Sequence, residues 1–142
     1  MEDLSKISVV LPSLDPDEKL VQVIDGLLEY GFSDIILVND GSTDDSGFVC
    51  DSLAAEDSRV TAIHQLNGGV SSARNLAMKH VKGEYVHFMD ADDFIAFDAY
   101  EKLYNLAKKG NHDIVSGPFL RFNDEKTWME ILSKDIYENI HE

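Results

Sequence analysis

Short apolar runs rich in β-branched residues alternate with amphipathic stretches along this chain, and that alternation admits few folds. The runs are "ISVVLP" (7–12), "DIILVND" (34–40), "RVTAIHQ" (59–65), "EYVHFMD" (84–90) and "DIVSG" (113–117). Each has the length of a strand, and mostly apolar character without strict alternation marks strands covered on both faces, as in a parallel sheet. Between them lie helical patterns. "DEKLVQVIDGLLEYG" places Leu20, Val23, Ile24, Leu27 and Leu28 on one face and stops at Gly31. "TDDSGFVCDSLAAED" is a second helix opened by a Thr/Asp cap, and "VSSARNLAMKHVKG" a third, ending at Gly83. "AFDAYEKLYNLAKKG" is a fourth, followed by "DIVSG" as a fifth strand and "PFLRFND" as an extended piece. The expected fold is α/β, a three-layer doubly wound and mostly parallel sheet with right-handed crossovers. Residues 1–125 form its main domain. Residues 126–142 form a C-terminal helical segment whose stripe of Trp128, Ile131, Leu132, Ile136 and Ile140 packs as core or offers half of a self-association interface.

Charge narrows the partners. With 27 acidic against 12 basic residues the net charge is −15, which argues against nucleic acid and anionic membrane surfaces. Only three arginines occur, so a phosphorylated small molecule would be held by a metal, backbone amides and one or two placed cations rather than by a basic patch. Cys50 is the sole cysteine and reads as a small core residue. No pair of histidines has zinc-ligand spacing. The N-terminus lacks a basic segment leading into a long apolar stretch, and no apolar run approaches the ~20 residues of a spanning helix. A soluble, reducing, cytoplasmic setting is the expectation.

In doubly wound sheets, ligands sit at the carboxyl ends of the strands. Four polar loops fall there: "PSLD" after strand one, "NDGSTDDS" after strand two, "NGG" after strand three and "DADD" after strand four. Asp90, Asp92 and Asp93 follow an apolar strand directly. Such a cluster needs a cation, shared protons or water to offset its repulsion. Hard oxygen ligands of this kind suit Mg2+ or Mn2+, although Asp92 and Asp93 could instead cap the next helix. Asp40, before the turn at Gly41, is either a loop cap or an acceptor for a nucleobase edge or ribose hydroxyl. Arg74, one turn into the third helix, can pair with a diphosphate or with the acidic cluster.

"ISVVLPSLD", "IILVNDGSTDDS", "NGGVSSARN" and "GEYVHFMDADD", in this order and spacing, resemble the nucleotide-binding half of the family 2 glycosyltransferases, which have the GT-A fold; the resemblance covers roughly residues 5–125. It implies an inverting transfer of sugar from a nucleoside diphosphate donor, a UDP-sugar foremost, to a hydroxyl of a glycan or lipid-linked acceptor, in polysaccharide or glycoconjugate synthesis. It also implies nucleotide contacts for Pro12, Ser13, Leu14, Asp15, Asp40, Gly41, Arg74, Asp90 and Ala91. Asp92 would hold Mn2+ or Mg2+, with Asp90 and Asp93 supporting. Relatives often have an aromatic residue and Asn where this chain has Leu14 and Asp15, so stacking at Leu14 is not implied. The family's general base lies in the acceptor-side half, well beyond the acidic motif, and here 50 residues follow Asp92. A shortened chain, or a binding module without transfer activity, is the alternative expectation. A phosphoacceptor receiver domain shares the length and fold class, but it would need a phosphorylated Asp where strand three ends in "HQLNGG" and a Lys where strand five ends in "SGPF".

Overall fold

The computed structural model describes residues 4–13, 19–41, 46–90 and 98–117. Two compact units divide the chain, Met1–Phe94 and Ile95–Glu142. In the first, a short 3-10 turn leads into β1 (Ile7–Ser13), followed by α1 (Lys19–Tyr30), β2 (Ile35–Asp40), α2 (Ser46–Glu56), β3 (Val60–Gln65), α3 (Val70–Met78) and β4 (Tyr85–Phe88). The four strands form one parallel sheet in the order β3-β2-β1-β4. This is the expected doubly wound α/β arrangement.

The apolar runs become strands because both faces of the sheet are covered. Val9, Val10 and Leu11 of β1 and Ile35 to Val38 of β2 have no accessible surface. Successive side chains of a strand point to opposite faces. Val10, Ile36 and Val38 accordingly pack with Ala73 and Ala77 of α3, with Ile63, Leu76, Val81 and Val86 at the margin of that cluster. Two alanines one turn apart let α3 approach the sheet closely. Right-handed crossovers fix the faces: β1→β2 and β2→β3 move one way along the sheet and β3→β4 moves the other, so α1 and α2 cover one face and α3 the opposite one. Cys50 is buried within α2, in keeping with a core role.

The amino-terminal edge of the sheet is tied by a buried polar knot. Asp34, only 4% exposed, accepts from the Ser8 hydroxyl at 2.5 Å and the Lys82 backbone N–H at 3.0 Å. The Ser8 hydroxyl in turn accepts from the Gly83 N–H at 2.8 Å. A Cβ on Gly83 would lie 2.7 Å from the Ser8 nitrogen and 2.8 Å from the Lys6 carbonyl oxygen, so β4 enters the sheet at a point where only glycine fits. This corrects the expectation that Gly83 stops the third helix. That helix ends at Met78, where i→i+3 bonds from Lys79 to Leu76 and from His80 to Ala77 tighten the last turn. Val81 then turns inward to the core and Lys82 reaches Asp34.

The second unit contributes α4 (Ala99–Gly110), which carries Glu101 in its first turn and Lys108 and Lys109 in its last, complementing the helix dipole. Asn111 closes it in the left-handed conformation, φ 51°. The expected fifth strand is not formed: residues 113–117 join no ladder, and Ile114 is 87% exposed. Two β-branched residues followed by Ser and Gly supply too little apolar surface to cover both faces of a strand. The cap at 43–45, the segment "PFLRFND", the C-terminal helix and the boundary after residue 125 lie outside the described residues. No helix among the described residues is long and apolar enough to cross a membrane.

Replacing Asp34 with Ala orphans the buried Ser8 hydroxyl, at about 1–3 kcal/mol, and removes the acceptor of the part-buried Lys82 N–H, at about 1 kcal/mol because water can reach it. Urea unfolding of Asp34→Ala is therefore expected to show a loss of about 2–4 kcal/mol. The exposed Glu29→Ala, as control, should stay within ~0.5 kcal/mol of the parent.

Candidate functional site

The direction of winding reverses between β1 and β4, and the crevice outside the carboxyl ends of strands at such a reversal is where doubly wound folds bind ligands. Pro12 and Ser13 end β1 there, paired with Val38 and Asn39 of β2. Asp90 follows β4, where the Met89 N–H continues the ladder to the Val10 carbonyl at 2.8 Å. Leu14, Asp15, Ala91, Asp92 and Asp93 lie outside the described residues.

Asp40 is firmly held at the rim. It is 4% exposed, and its Oδ1 accepts from the Gln65 side-chain amide at 2.7 Å and from the Gly68 backbone N–H at 2.9 Å. The Gly68 N–H, the Gln65 amide and the Gly69 N–H each favour the ionised form, and together they outweigh burial, holding the Asp40 carboxyl below its ordinary value of 3.8. Gly69, φ 88°, opens α3, so the carboxylate also stands where the amino-terminal end of a helix favours negative charge. Gly41 turns the chain with φ 73°, and a Cβ there would lie 2.6 Å from the Asn67 nitrogen. The β2 and β3 loops therefore touch backbone to backbone.

One rung earlier, on the face covered by α2, the Asn39 amide meets His64 Nδ1 at 3.1 Å, and His64 Nε2 meets Asp51 of α2 at 2.7 Å. With the Asn39 amide donating, Nδ1 is the acceptor and the Nε2–H donates to Asp51. Gly47, in the first turn of α2, passes so close that a Cβ would lie 2.8 Å from the Asn39 amide nitrogen. The end of β2 and the start of α2 are thus held together.

Arg74 lies on α3 with its guanidinium 5.4 Å from the centre of the Phe88 ring, within cation–π range, and 4.0 Å from an Asp90 carboxylate oxygen. The Asp90 contact sits at the outer limit of an ion pair, so the salt-bridge alternative for Arg74 is a weak one. Its Nε is buried without a hydrogen-bond partner among the described residues, and so is the Ser13 hydroxyl. Arg59 is committed elsewhere: it pairs with Asp57 at 2.7 Å and donates to the Leu28 carbonyl at the opposite end of the sheet, and its side-chain hydrogen bond holds Asp57 down at about 2. His87 of β4 is shifted below its usual range by burial. Among the described residues no group of three His, Cys, Asp or Glu side chains stands ready for a metal. Gln65, Gly68, Phe88 and His64 were not among the residues expected at the site. The only sequence signal for Gln65 and His64 is their place at the end of β3, opposite Asp40 and Asn39.

Most of the chain is similar to known proteins. The family described as Glycosyl transferase family 2 matches residues 8–141. The glycosyltransferase EpsJ of Bacillus subtilis is 37% identical over 126 residues, 87% of this chain and 37% of that protein. GlyG of Streptococcus pneumoniae is 36% identical over 121 residues, 83% of this chain and 40% of that protein. GlyA of the same species is 34% identical over 141 residues, 96% of this chain and 20% of that protein. The chain therefore spans well under half the length of these relatives. In three dimensions it is similar to the mannosyltransferase PcManGT from Pyrobaculum calidifontis, solved in complex with GDP-Man and Mn2+: TM-score 0.64 at 21% identity, over 72% of this chain and 32% of that one.

Because the Asp40 carboxyl is held below 3.8, it contributes stability in full above that value. The contribution is lost as the pH falls through the lowered value. An Asp40→Asn variant cannot show this loss. Its unfolding free energy is expected to fall less steeply than the parent's below about pH 4, and parallel curves for the two proteins would remove the linkage.

Proposed function

The chain belongs to glycosyl transferase family 2, and from that membership we propose that it binds a nucleoside diphosphate sugar, with uridine diphosphate as carrier. The sugar passes to a hydroxyl of a glycan or lipid-linked acceptor, with inversion at the anomeric carbon. The observation that carries this reading is the rim itself: two buried polar atoms without partners among the described residues, Ser13 Oγ and Arg74 Nε, share the switch-point rim with an ionised, firmly held Asp40. Orphaned buried polar groups are costly unless a ligand completes them.

In this reading Asp40 accepts a hydrogen bond from the base. Uracil presents N3–H between two carbonyls, whereas cytosine N3 carries no proton. Arg74, steadied on the Phe88 ring, meets the diphosphate, and Ser13 and the loop from Pro12 to Asp15 flank the nucleoside. Asp92, with Asp90 and Asp93 supporting, would hold Mn2+ or Mg2+, which supplies positive charge to the departing diphosphate where negative charge develops. The acceptor oxygen forms its bond to the anomeric carbon as the bond to the diphosphate breaks, the electron pair leaving with the diphosphate and the hydroxyl proton passing to a base. The Mn2+ and GDP-Man of PcManGT support the metal and the nucleotide-sugar parts of this proposal. A guanosine diphosphate sugar is the second reading, favoured by that neighbour, because guanine N1–H offers Asp40 an equivalent donor.

Calorimetry with UDP, GDP and CDP, each with Mn2+ and with EDTA, tests the assignment. UDP binding is expected with Mn2+ and not with EDTA. CDP should bind more weakly by roughly ten- to a hundredfold, the cost of one hydrogen bond to a charged group at about 1.5–3 kcal/mol. An Asp92→Asn variant that binds UDP and Mn2+ as tightly as the parent would falsify the metal role. Equal affinities for UDP and CDP would remove Asp40 from base recognition, and tighter GDP binding would favour the second reading.

A further inference from the structure

We propose that Gln65 is a specificity-determining positioning residue for the base: its side-chain amide holds Asp40 so that the carboxylate meets the nucleobase through Oδ2. This deepens the proposed function and rests on the reading of Asp40 given there.

The pair is set by strand register. Asp40 and Gln65 are direct partners in the β2–β3 ladder, the last rung before both chains leave the sheet. Their side chains therefore project side by side toward the α3 face, where the Gln65 amide reaches Asp40. An ionised carboxylate only accepts, so the NH2 end of the Gln65 amide must be the end that faces it. The Ser72 hydroxyl, on α3, makes a long 3.5 Å contact to the other end of that amide, consistent with this orientation.

The two hydrogen bonds of defined geometry to Asp40, from the Gln65 amide at 2.7 Å and the Gly68 N–H at 2.9 Å, both end on Oδ1, and the Gly69 N–H adds a smaller stabilising contact. A carboxylate held by one donor can rotate about its terminal torsion, which is broad. A second donor converging on the same oxygen stops that rotation and commits the other oxygen to the ligand. Gly68 belongs to a loop, whereas Gln65 is locked in a ladder. Gln65 is therefore the partner that carries the rigidity of the sheet into the recognition group.

The experiment measures UDP and CDP affinity with Mn2+ for the parent, Gln65→Met and Gln65→Glu between about pH 5 and pH 8. Taking the ratio of the two nucleotides at each pH cancels the titration of their phosphates. The parent is expected to favour UDP by roughly tenfold or more across the range. Gln65→Met, similar in volume but without a donor, should bring the ratio to within about threefold while CDP affinity stays near the parent's. Gln65→Glu should lose discrimination near pH 8, where two carboxylates repel. It should regain at least about threefold near pH 5, where the introduced acid, protonated, donates to Asp40 as the amide does. That rise on acidification compares one variant with itself, so it holds even if Gln65→Met fails to fold. Parent-like ratios in the variants at every pH, or an equal loss of UDP and CDP binding, overturn the Gln65 proposal alone. Absence of discrimination in the parent overturns the uridine reading and this proposal with it.

Discussion

A parallel sheet has to bury both of its faces, and the place of the site follows from that requirement. Helices must lie on either side, right-handed crossovers decide which side each takes, and the order β3-β2-β1-β4 forces one reversal of winding, between β1 and β4. At such a reversal, doubly wound folds take their ligands outside the carboxyl ends of the strands. Ser13 ends β1 and Asp90 follows β4, the two strands on either side of the reversal. The knot of Asp34, Ser8, Lys82 and Gly83 serves the same geometry from the other end, by pinning the start of β4 against β1. If β4 slipped by one residue, every side chain on it would change face.

The last two rungs of β2 and β3 divide the work of holding the rim. On the α2 face Asn39, His64 and Asp51 link strand, neighbouring strand and helix. On the α3 face Asp40, Gln65 and Gly68 link strand, neighbouring strand and loop. Adjacent residues of one strand thus serve opposite helices, a direct consequence of the two-residue period of a strand. The close approaches at Gly41 and Gly47 bring the loop ends within reach of these groups, and the absence of a side chain is what both positions contribute.

Much of this was legible in the sequence. Burial on both faces gives parallel strands a run of apolar residues, and such runs marked β1 to β4 to within about two residues; the helical spacing of Leu20, Val23, Ile24 and Leu27 and the stop at Gly31 likewise marked α1. The carboxyl ends of β1 to β4 lie on the rim that the winding rule assigns to their loops, since that rule depends only on the order of elements. "DIVSG" failed as a strand because its two β-branched residues suggest one, while the Ser and Gly that follow leave too little apolar surface to cover both faces. Gly83 was misjudged for a related reason: a glycine looks the same whether it ends a helix or makes room for a backbone distant in the chain, and only the close approach to Ser8 and Lys6 distinguishes them.

What the sequence determined by itself was the chemistry available at the rim: an Asp at the end of β2, an Arg on α3, an Asp after β4 and a chain otherwise poor in cations. These follow from residue type and spacing, which are local. Only the tertiary structure decided which neighbours those groups have. That Asp40 is kept ionised by Gln65 and Gly68, that Arg74 lies over Phe88 with its Nε unpaired, and that His64 answers to Asn39 and Asp51 all depend on the register between strands and the face each helix covers. Register and packing are set by the whole core at once, so no local stretch of sequence contains them.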